Sequence, residues 1–599
     1  MSDGAGGTAT GNISFANRVP LAQADAVKIG PGTAIIDVLA NDSDPDGDHL
    51  TIVSVSGAAL GMVTTDGAKA FYTPAKAFEG VDGFDYTMSD GHGGTAKAHV
   101  SIKANYAVER SLAEQGDAIP GLPGSTWLSF GLPSIFDQGE EAGWLAKYHK
   151  SGRALTGLFT GAPDAPVLQV HTGQQATDDE AGPAKGVTFS TFQQPVFAGE
   201  DLAFVASLAG HDVIAANSKG LWVKNSTAGL RALARSHDPA AGTVGDRFSS
   251  FTNVAMPTPG IVFFTAKLAN AGKDVTTKSN SGLWVWNVES GLSAALREGE
   301  TLDFGGGVET LKSFQALGLV NGSPAHARYD ATTGSVDARL VFTDGSQAIA
   351  AVRNDSTVEI VRMTGDTDAS GRVALSFGMP SSPGGGLGPT ALLTYRTTNQ
   401  RSSATAVYDF DSNSVIAQRK ASAPGTAGTF QTFLDPVAGL GLTNGKIIAF
   451  QASLSGVSGA SNAGLWATPE NSTAPVLIAQ KGAVPPGASD AVYSAFESLT
   501  VTAGRGVVFV AKLRNGASRV GRSADRGCWA TASDGTLRLI LREGDFVAGK
   551  TLHRFDLLED APRSDGQRRA WADGDATPRL IYLAHFTDGT EAILTAAVP

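Results

Sequence analysis

The sequence lacks most of the features that announce a function. It holds one cysteine, Cys528, so no disulfide can form within the chain. Such usage fits an exported bacterial protein that does without disulfides, and a cytosolic protein equally. No apolar run reaches the roughly 20 residues of a membrane-spanning helix. Charged residues are only 17% of the 599, and the formal net charge of −12 argues against nucleic acid as partner. The HExxH and GxSxG motifs are absent, and the ten histidines are scattered without ligand spacing.

Turn chemistry and short apolar runs make up the rest. Gly accounts for 73 residues and Pro for 27, a composition that favours all-β structure. The opening phrase "SDGAGGTA" (2–9) returns as "SDGHGGTA" (89–96). A phrase that recurs at this distance marks a domain-sized repeat. Residues 1–16 are therefore expected to be the terminal strand of a preceding, truncated copy, added loosely to the edge of the domain that follows.

From Asn17 to Asn105 short runs rich in Val, Ile, Thr, Tyr and Phe alternate with Asp-Gly and Gly-Gly turns. That pattern predicts a β-sandwich of about seven strands. In one of its turns Asp42, Asp44, Asp46 and Asp48 alternate around Gly47. The D-x-D-x-D-G spacing is the first half of an EF-hand loop, in which alternate carboxylates supply hard oxygens to calcium. Position twelve is Val53, so the closing bidentate Glu is missing, and Asp90 or Asp82 would have to complete the site. The competing reading is a plain turn, with Asn41 and Asp44 bonding nearby backbone. The phrases "NRVPLAQAD", "VLANDSDPDGD" and "FYTPAKAFEGVDGFDYTMSDGHGGTA" give this segment a resemblance to the cadherin-like (Ig-like) tandem repeats of large bacterial surface and secreted adhesins. The resemblance implies an array of stiff domains with calcium at the joints.

Beyond Asn105 an aromatic anchor recurs at Phe130, Phe192, Phe251, Phe314, Phe377, Phe433, Phe496 and Phe555, at spacings of 56 to 63 residues. Each copy reads as four strands, the third marked by "GLF" (157–159), "GLW" (220–222, 282–284, 464–466) or "GCW" (527–529). Four antiparallel strands repeated in this way describe the blades of a β-propeller. The eighth copy stops one strand short, and "ERSLAEQGDAIPG" (109–121) matches "LRLILREGDFVAG" (537–549). The expectation is an all-β chain, an Ig/cadherin-like sandwich followed by a propeller over 106–599 that strand 109–121 closes. It has eight blades, or seven if the divergent fourth and fifth copies are discounted. The texture is similar to propeller repeats of bacterial secreted proteins, a loose resemblance that implies no activity.

The anchors and "GLW" triplets read as packing between blades, and Cys528, in a Leu slot, as a buried small residue. The repeated "EQGD", "TGD" and "REGD" carboxylates read as turns. Basic residues gather instead in segments assigned to the long loops between second and third strands: Lys147, His149, Lys150 and Arg153; Arg396 and Arg401; Arg514, Arg519, Arg522 and Arg526. Arginine suits bidentate contact with sulfate and carboxylate. The leading expectation is a monomeric, non-catalytic module of the bacterial surface or medium. In it a calcium-stiffened stalk presents a propeller head to an acidic polysaccharide or a surface protein. The alternative is a propeller-type polysaccharide hydrolase or lyase with the cadherin-like domain as attachment.

Overall fold

The computed structural model describes residues 16–597 except 30–33, 75–78, 106–109, 137–140, 163–164, 177–185, 199–200, 226–228, 270–279, 305–306, 317–328, 331–332, 399–400, 442, 444, 503–505, 517–523, 533–534, 558–570 and 573–578. The expected terminal strand at 1–16 falls almost wholly outside the described residues. The chain divides into two compact units, one built mainly from residues 1–109 and the other mainly from 110–599.

The first unit contains two sheets. Asp25–Ile29, Thr95–Asn105, Glu79–Ser89 and Thr51–Val55 pair in that order, the first two parallel and the rest antiparallel. Ala34–Ile36, Ala70–Pro74 and Gly61–Thr65 form the other. Alternate residues of both sheets, among them Ile36, Ile52, Tyr72, Phe84, Tyr86 and Val100, meet in one core. The period-2 pattern of the sequence thus puts one face of each sheet inside.

Among the described residues the second unit is a succession of eight antiparallel sheets. Sheet two is representative: Thr188–Ala198, Asp201–Ala209, Lys219–Asn225 and Gly229–Arg235 pair in chain order. Sheet seven follows the same plan with Ala491–Thr502, Gly506–Asn515, Arg526–Thr531 and Leu537–Arg542. Neighbouring sheets share apolar cores from the first to the seventh. Sheet eight takes Lys550–Asp556, Arg579–Phe586 and Glu591–Ala597 from the C-terminal part and Arg110–Glu114 as its fourth strand, with Glu114 opposite Ala592 and Ala113 opposite Ile593. It meets sheet one where the Glu591 carboxylate accepts the amide of Phe130 at 3.4 Å. The arrangement is consistent with a β-propeller.

The "GLW" triplet has a physical explanation. In sheets two, three, six and seven the indole N–H donates to a carbonyl of the connection that enters the same sheet: Trp222 to Ala176, Trp284 to Ala241, Trp466 to Pro424 and Trp529 to Pro486, at 2.9–3.0 Å. Each indole also stacks on a phenylalanine of the second strand, with interplanar angles of 13–17°. The ring lies back over the triplet's glycine. A Cβ on Gly220, Gly282, Gly464 or Gly527 would fall 2.6–2.7 Å from an indole carbon. Sheet one swaps the pair, with Trp144 on the second strand stacked on Phe159 of the third. Its indole Nε1 is then buried with no hydrogen-bond partner. Cys528 is fully buried in its Leu slot.

The blade-to-blade connections share one turn. Gly116, Gly173, His237, Gly299, Gly365, Lys420, Gly482 and Gly544 all stand at positive φ, from 71° to 95°. Asp366 and Asp545 cap these turns, each accepting at 2.7 Å the amide of the residue three before it. These two repeated aspartates therefore serve the turn, as their repetition suggests.

Candidate functional site

In the first unit the acidic turn is drawn together only in part. One carboxylate oxygen from each of Asp44, Asp46 and Asp48 lies within 4.8 Å of the other two. Asp44 Oδ1 accepts the amides of Asp46 (2.7 Å) and Asp48 (3.4 Å), while its Oδ2 is buried with no hydrogen-bond partner. Asp46 receives the Arg18 amide and guanidinium, which hold its carboxyl below the usual range. Asp48 lies 3.2 Å from His92 Nδ1. Asp42 stands apart: it accepts the Tyr86 hydroxyl at 2.6 Å and the Gln23 amide at 2.7 Å. Asp90 holds its own turn through the amides of His92 and Gly94, and accepts the Asn17 side chain at 2.8 Å.

In the second unit the densest constellation lies at the seam of sheets seven and eight. Glu497 and Asp556 each follow an aromatic anchor, Phe496 and Phe555, on the first strands of adjacent sheets. Glu497 is held by Lys512 at 2.9 Å and Arg526 at 2.6 Å, and these bonds keep its carboxyl low although burial opposes them. Burial also opposes ionisation of Asp556, but His585 at 3.0 Å and Arg554 at 2.8 Å keep it low. The other nitrogen of His585 is 3.2 Å from Glu591. Beside them Glu543 is 7% exposed. Burial pushes its carboxyl up to about 7 against the Arg526 charge, with Asp525 and Glu497 adding to the rise. A pair of carboxylates beside a buried carboxyl whose ionisation is opposed has the composition of an acid–base site. A general acid must touch its substrate, however, and Glu543 is closed off from solvent.

The predicted basic residues are dispersed. Lys147, His149, Lys150 and Arg153 do not occupy a long loop. They flank a two-residue hairpin at Ser151–Gly152, where Lys150 stands opposite Arg153 and both turn residues take positive φ. Lys147, His149 and Arg153 are exposed. None of the four makes an ion pair with a described residue. Arg396 is exposed on the second strand of sheet five and Arg401 is exposed just beyond it, while Arg514 is exposed on the second strand of sheet seven. Arg519 and Arg522 lie outside the described residues. Arg526 is not available to a ligand: it is 14% exposed, bound to Glu497, donating to the Phe555 carbonyl at 2.5 Å and lying over the Phe555 ring.

One motif is present that composition and repeats do not bring out. "GDFVAGKT" (544–551) has the GxxxxGK[ST] spacing of a phosphate loop. That chemistry needs a helix after the loop, whereas Lys550 opens a strand and its ammonium is bound to Glu114 at 2.6 Å and Thr590 at 2.8 Å. The lysine pins the closing strand instead of waiting for a phosphate.

A family described as a family of unknown function (DUF7453) matches residues 46–352 and 326–599, and the chain belongs to it. No curated protein matches the chain. Among solved structures it is similar to the propeller domain of the trilobed protease from Pyrococcus furiosus, at 9% identity and a TM-score of 0.30, covering 70% of this chain and all of that one. Oligopeptidase B from Leishmania major matches at 8% identity and a TM-score of 0.35, with 77% of this chain and 53% of that one covered. Trypanosoma rangeli sialidase in complex with sialic acid matches at 9% and 0.24, with 82% and 57% covered. The chain thus spans a little over half the length of the oligopeptidase and sialidase chains it matches.

Proposed function

We propose that the protein is an extracellular or cell-surface binding module of bacterial type. Residues 17–105 form a cadherin-like sandwich stiffened by calcium. Residues 106–599 form a closed eight-bladed propeller whose head binds an acidic polysaccharide by charge. One contrast carries this reading. At the charged seam Glu497 and Asp556 are each held by an arginine, whereas Lys147, His149 and Arg153 of the basic hairpin of sheet one are exposed and make no ion pair with a described residue in a chain of net charge −12. Affinity should fall as salt rises, because exposed charges are screened within about 8 Å at physiological ionic strength. Reversing Lys147, Lys150 and Arg153 together to Glu is expected to weaken binding on a glycan array at least about tenfold, a loss of roughly 1.4 kcal/mol. Unchanged binding overturns the assignment to this hairpin. Release of shortened product in the same assay moves the protein to the hydrolase or lyase class.

Calcium follows from the acidic turn. The clustered oxygens of Asp44, Asp46 and Asp48, and the buried Asp44 Oδ2 without a protein partner, suit a hard cation. Binding to the folded form alone raises its melting temperature by mass action. Millimolar calcium should therefore raise the transition of the first unit, chelator should reverse the rise, and Asp44→Ala should remove the response while the second unit melts as before. A transition indifferent to both additions rules calcium out.

A further inference from the structure

We propose that the seam between sheets seven and eight is a proton-operated latch, in which Arg526 clamps sheet eight while Glu543 is the neutral acid and the ionised form pulls that clamp away. The proposal goes beyond ligand binding and rests on the contacts of Arg526. This guanidinium bonds Glu497 on the first strand of sheet seven, donates to the Phe555 carbonyl on the first strand of sheet eight, and has its Cζ 4.5 Å from the centre of the Phe555 ring. One side chain therefore ties the two sheets together.

The position of Glu543, directly after the fourth strand, holds a small hydroxyl in sheets one, two and four and a long polar side chain, Glu298, Arg419, Lys481 and Gln115, in sheets three, five, six and eight. Directly after the fourth strand, Thr172, Ser236 and Thr364 in sheets one, two and four accept amides of the third strand, from Thr156, Lys219 and Gln347 at 3.0–3.2 Å. In sheet seven this place holds a buried carboxyl, its amide bonded to the Arg526 carbonyl at 3.0 Å and its side chain hydrogen-bonded to Asp525. Sheet three also has an acid here, Glu298, but that one is bonded to the Ser281 hydroxyl and the charge acting on it is Lys267 of its own sheet.

The groups around Glu543 are Asp525 and Arg526 at the start of the third strand and Glu497 on the first, with Lys512 on the second strand pairing to Glu497. On the sheet-eight side of Arg526 stands Asp556, with Arg554 and His585 beside it. With Glu543 protonated, its hydroxyl serves Asp525, and Arg526 serves Glu497 and the Phe555 carbonyl. With Glu543 ionised, a third carboxylate competes for the same guanidinium. Burial raises the acid above its ordinary value, so the folded seam binds the proton more tightly than the unfolded chain. The stability it contributes is complete below the ordinary glutamate range and is lost as pH rises through about 7. Asp545, two residues on, is pushed up to about 6 by burial and titrates in the same region, so the two must be separated by substitution.

The test is hydrogen–deuterium exchange of the full chain at pH 6 and pH 8, corrected for intrinsic rates and read on Arg526–Thr531 and Lys550–Asp556. In the wild type, protection of these strands should fall at least about tenfold at the higher pH. Glu543→Gln, which mimics the neutral acid, should be protected equally at both. Glu543→Thr, the residue of sheets one and four, should also lose the pH response, and Asp545→Asn should keep it. Equal responses in wild type and Glu543→Gln, or a response that vanishes only in Asp545→Asn, overturn the latch.

Discussion

Deleting Arg110–Gly121 is expected to leave sheet eight with an open edge and to cost the second unit its solubility or much of its stability. The segment supplies the fourth strand, with Ser111 opposite Leu594 and Glu114 opposite Ala592. It buries Leu112 and Ala113, and beneath it Ala592, Ile593 and Leu594 are fully buried. Losing that apolar contact and the ladder of backbone bonds amounts to on the order of 5 kcal/mol. At about 1 °C per kcal/mol for a unit this large, the melting temperature should drop by about 5 °C. The uncovered strand Glu591–Ala597 then presents unpaired N–H and C=O groups to other copies, which favours association. Lys550 would lose Glu114 as well. Calorimetry and light scattering on the deletion variant check both effects. A monodisperse protein that melts with the parent would show that the strand contributes nothing to closure.

Replacing Trp466 by Ala is the second large effect expected. The indole is fully buried, stacked on Phe450 at 6.0 Å and bonded to the Pro424 carbonyl at 3.0 Å. Truncation removes the largest side chain of its sheet and leaves a cavity, a loss of about 3–5 kcal/mol. Trp466→Phe keeps most of the volume but strands the carbonyl, and should cost about 1–2 kcal/mol. Gly464→Ala probes the same contact from below. Its Cβ would fall 2.7 Å from the indole, and the overpacking should cost about 1–3 kcal/mol. Denaturant titration orders the three variants. A cost below 1 kcal/mol for Trp466→Ala would remove the triplet from the packing account.

The repeats were legible because each sheet solves the same packing problem with the same residues. Phe192, Phe251 and Phe496 all sit on first strands, and the triplet glycines mark every third strand that carries a stacked indole. The likeness of "ERSLAEQGD" to "LRLILREGD" located the strand that pairs with Glu591–Ala597. The site was less legible, because its partners come from far along the chain. Arg526 reads as a loop cation until Glu497 and Phe555, each 29 residues away, are brought to it. Asp42 shares a spacing with Asp44, yet its hydroxyl donor, Tyr86, lies 44 residues on. Two residues, Ser151 and Gly152, suffice to turn the hairpin of sheet one because both accept positive φ, and a local count of basic residues does not show that. Glu543 could have been singled out as the carboxyl standing where Thr172 and Thr364 stand, since only alignment of the repeats exposes the substitution.

The bond between Glu591 and Gln115 spans 476 residues of chain. During synthesis the strand Arg110–Glu114 leaves the ribosome more than 470 residues before its mate. At roughly 5–20 residues per second it must wait about half a minute or longer. Through that interval the growing protein carries an unsatisfied strand edge and an unfinished circle, which makes it a natural client for chaperones. Sheets one to seven take strands consecutive in the chain, so the delay falls on sheet eight alone, which is sealed last.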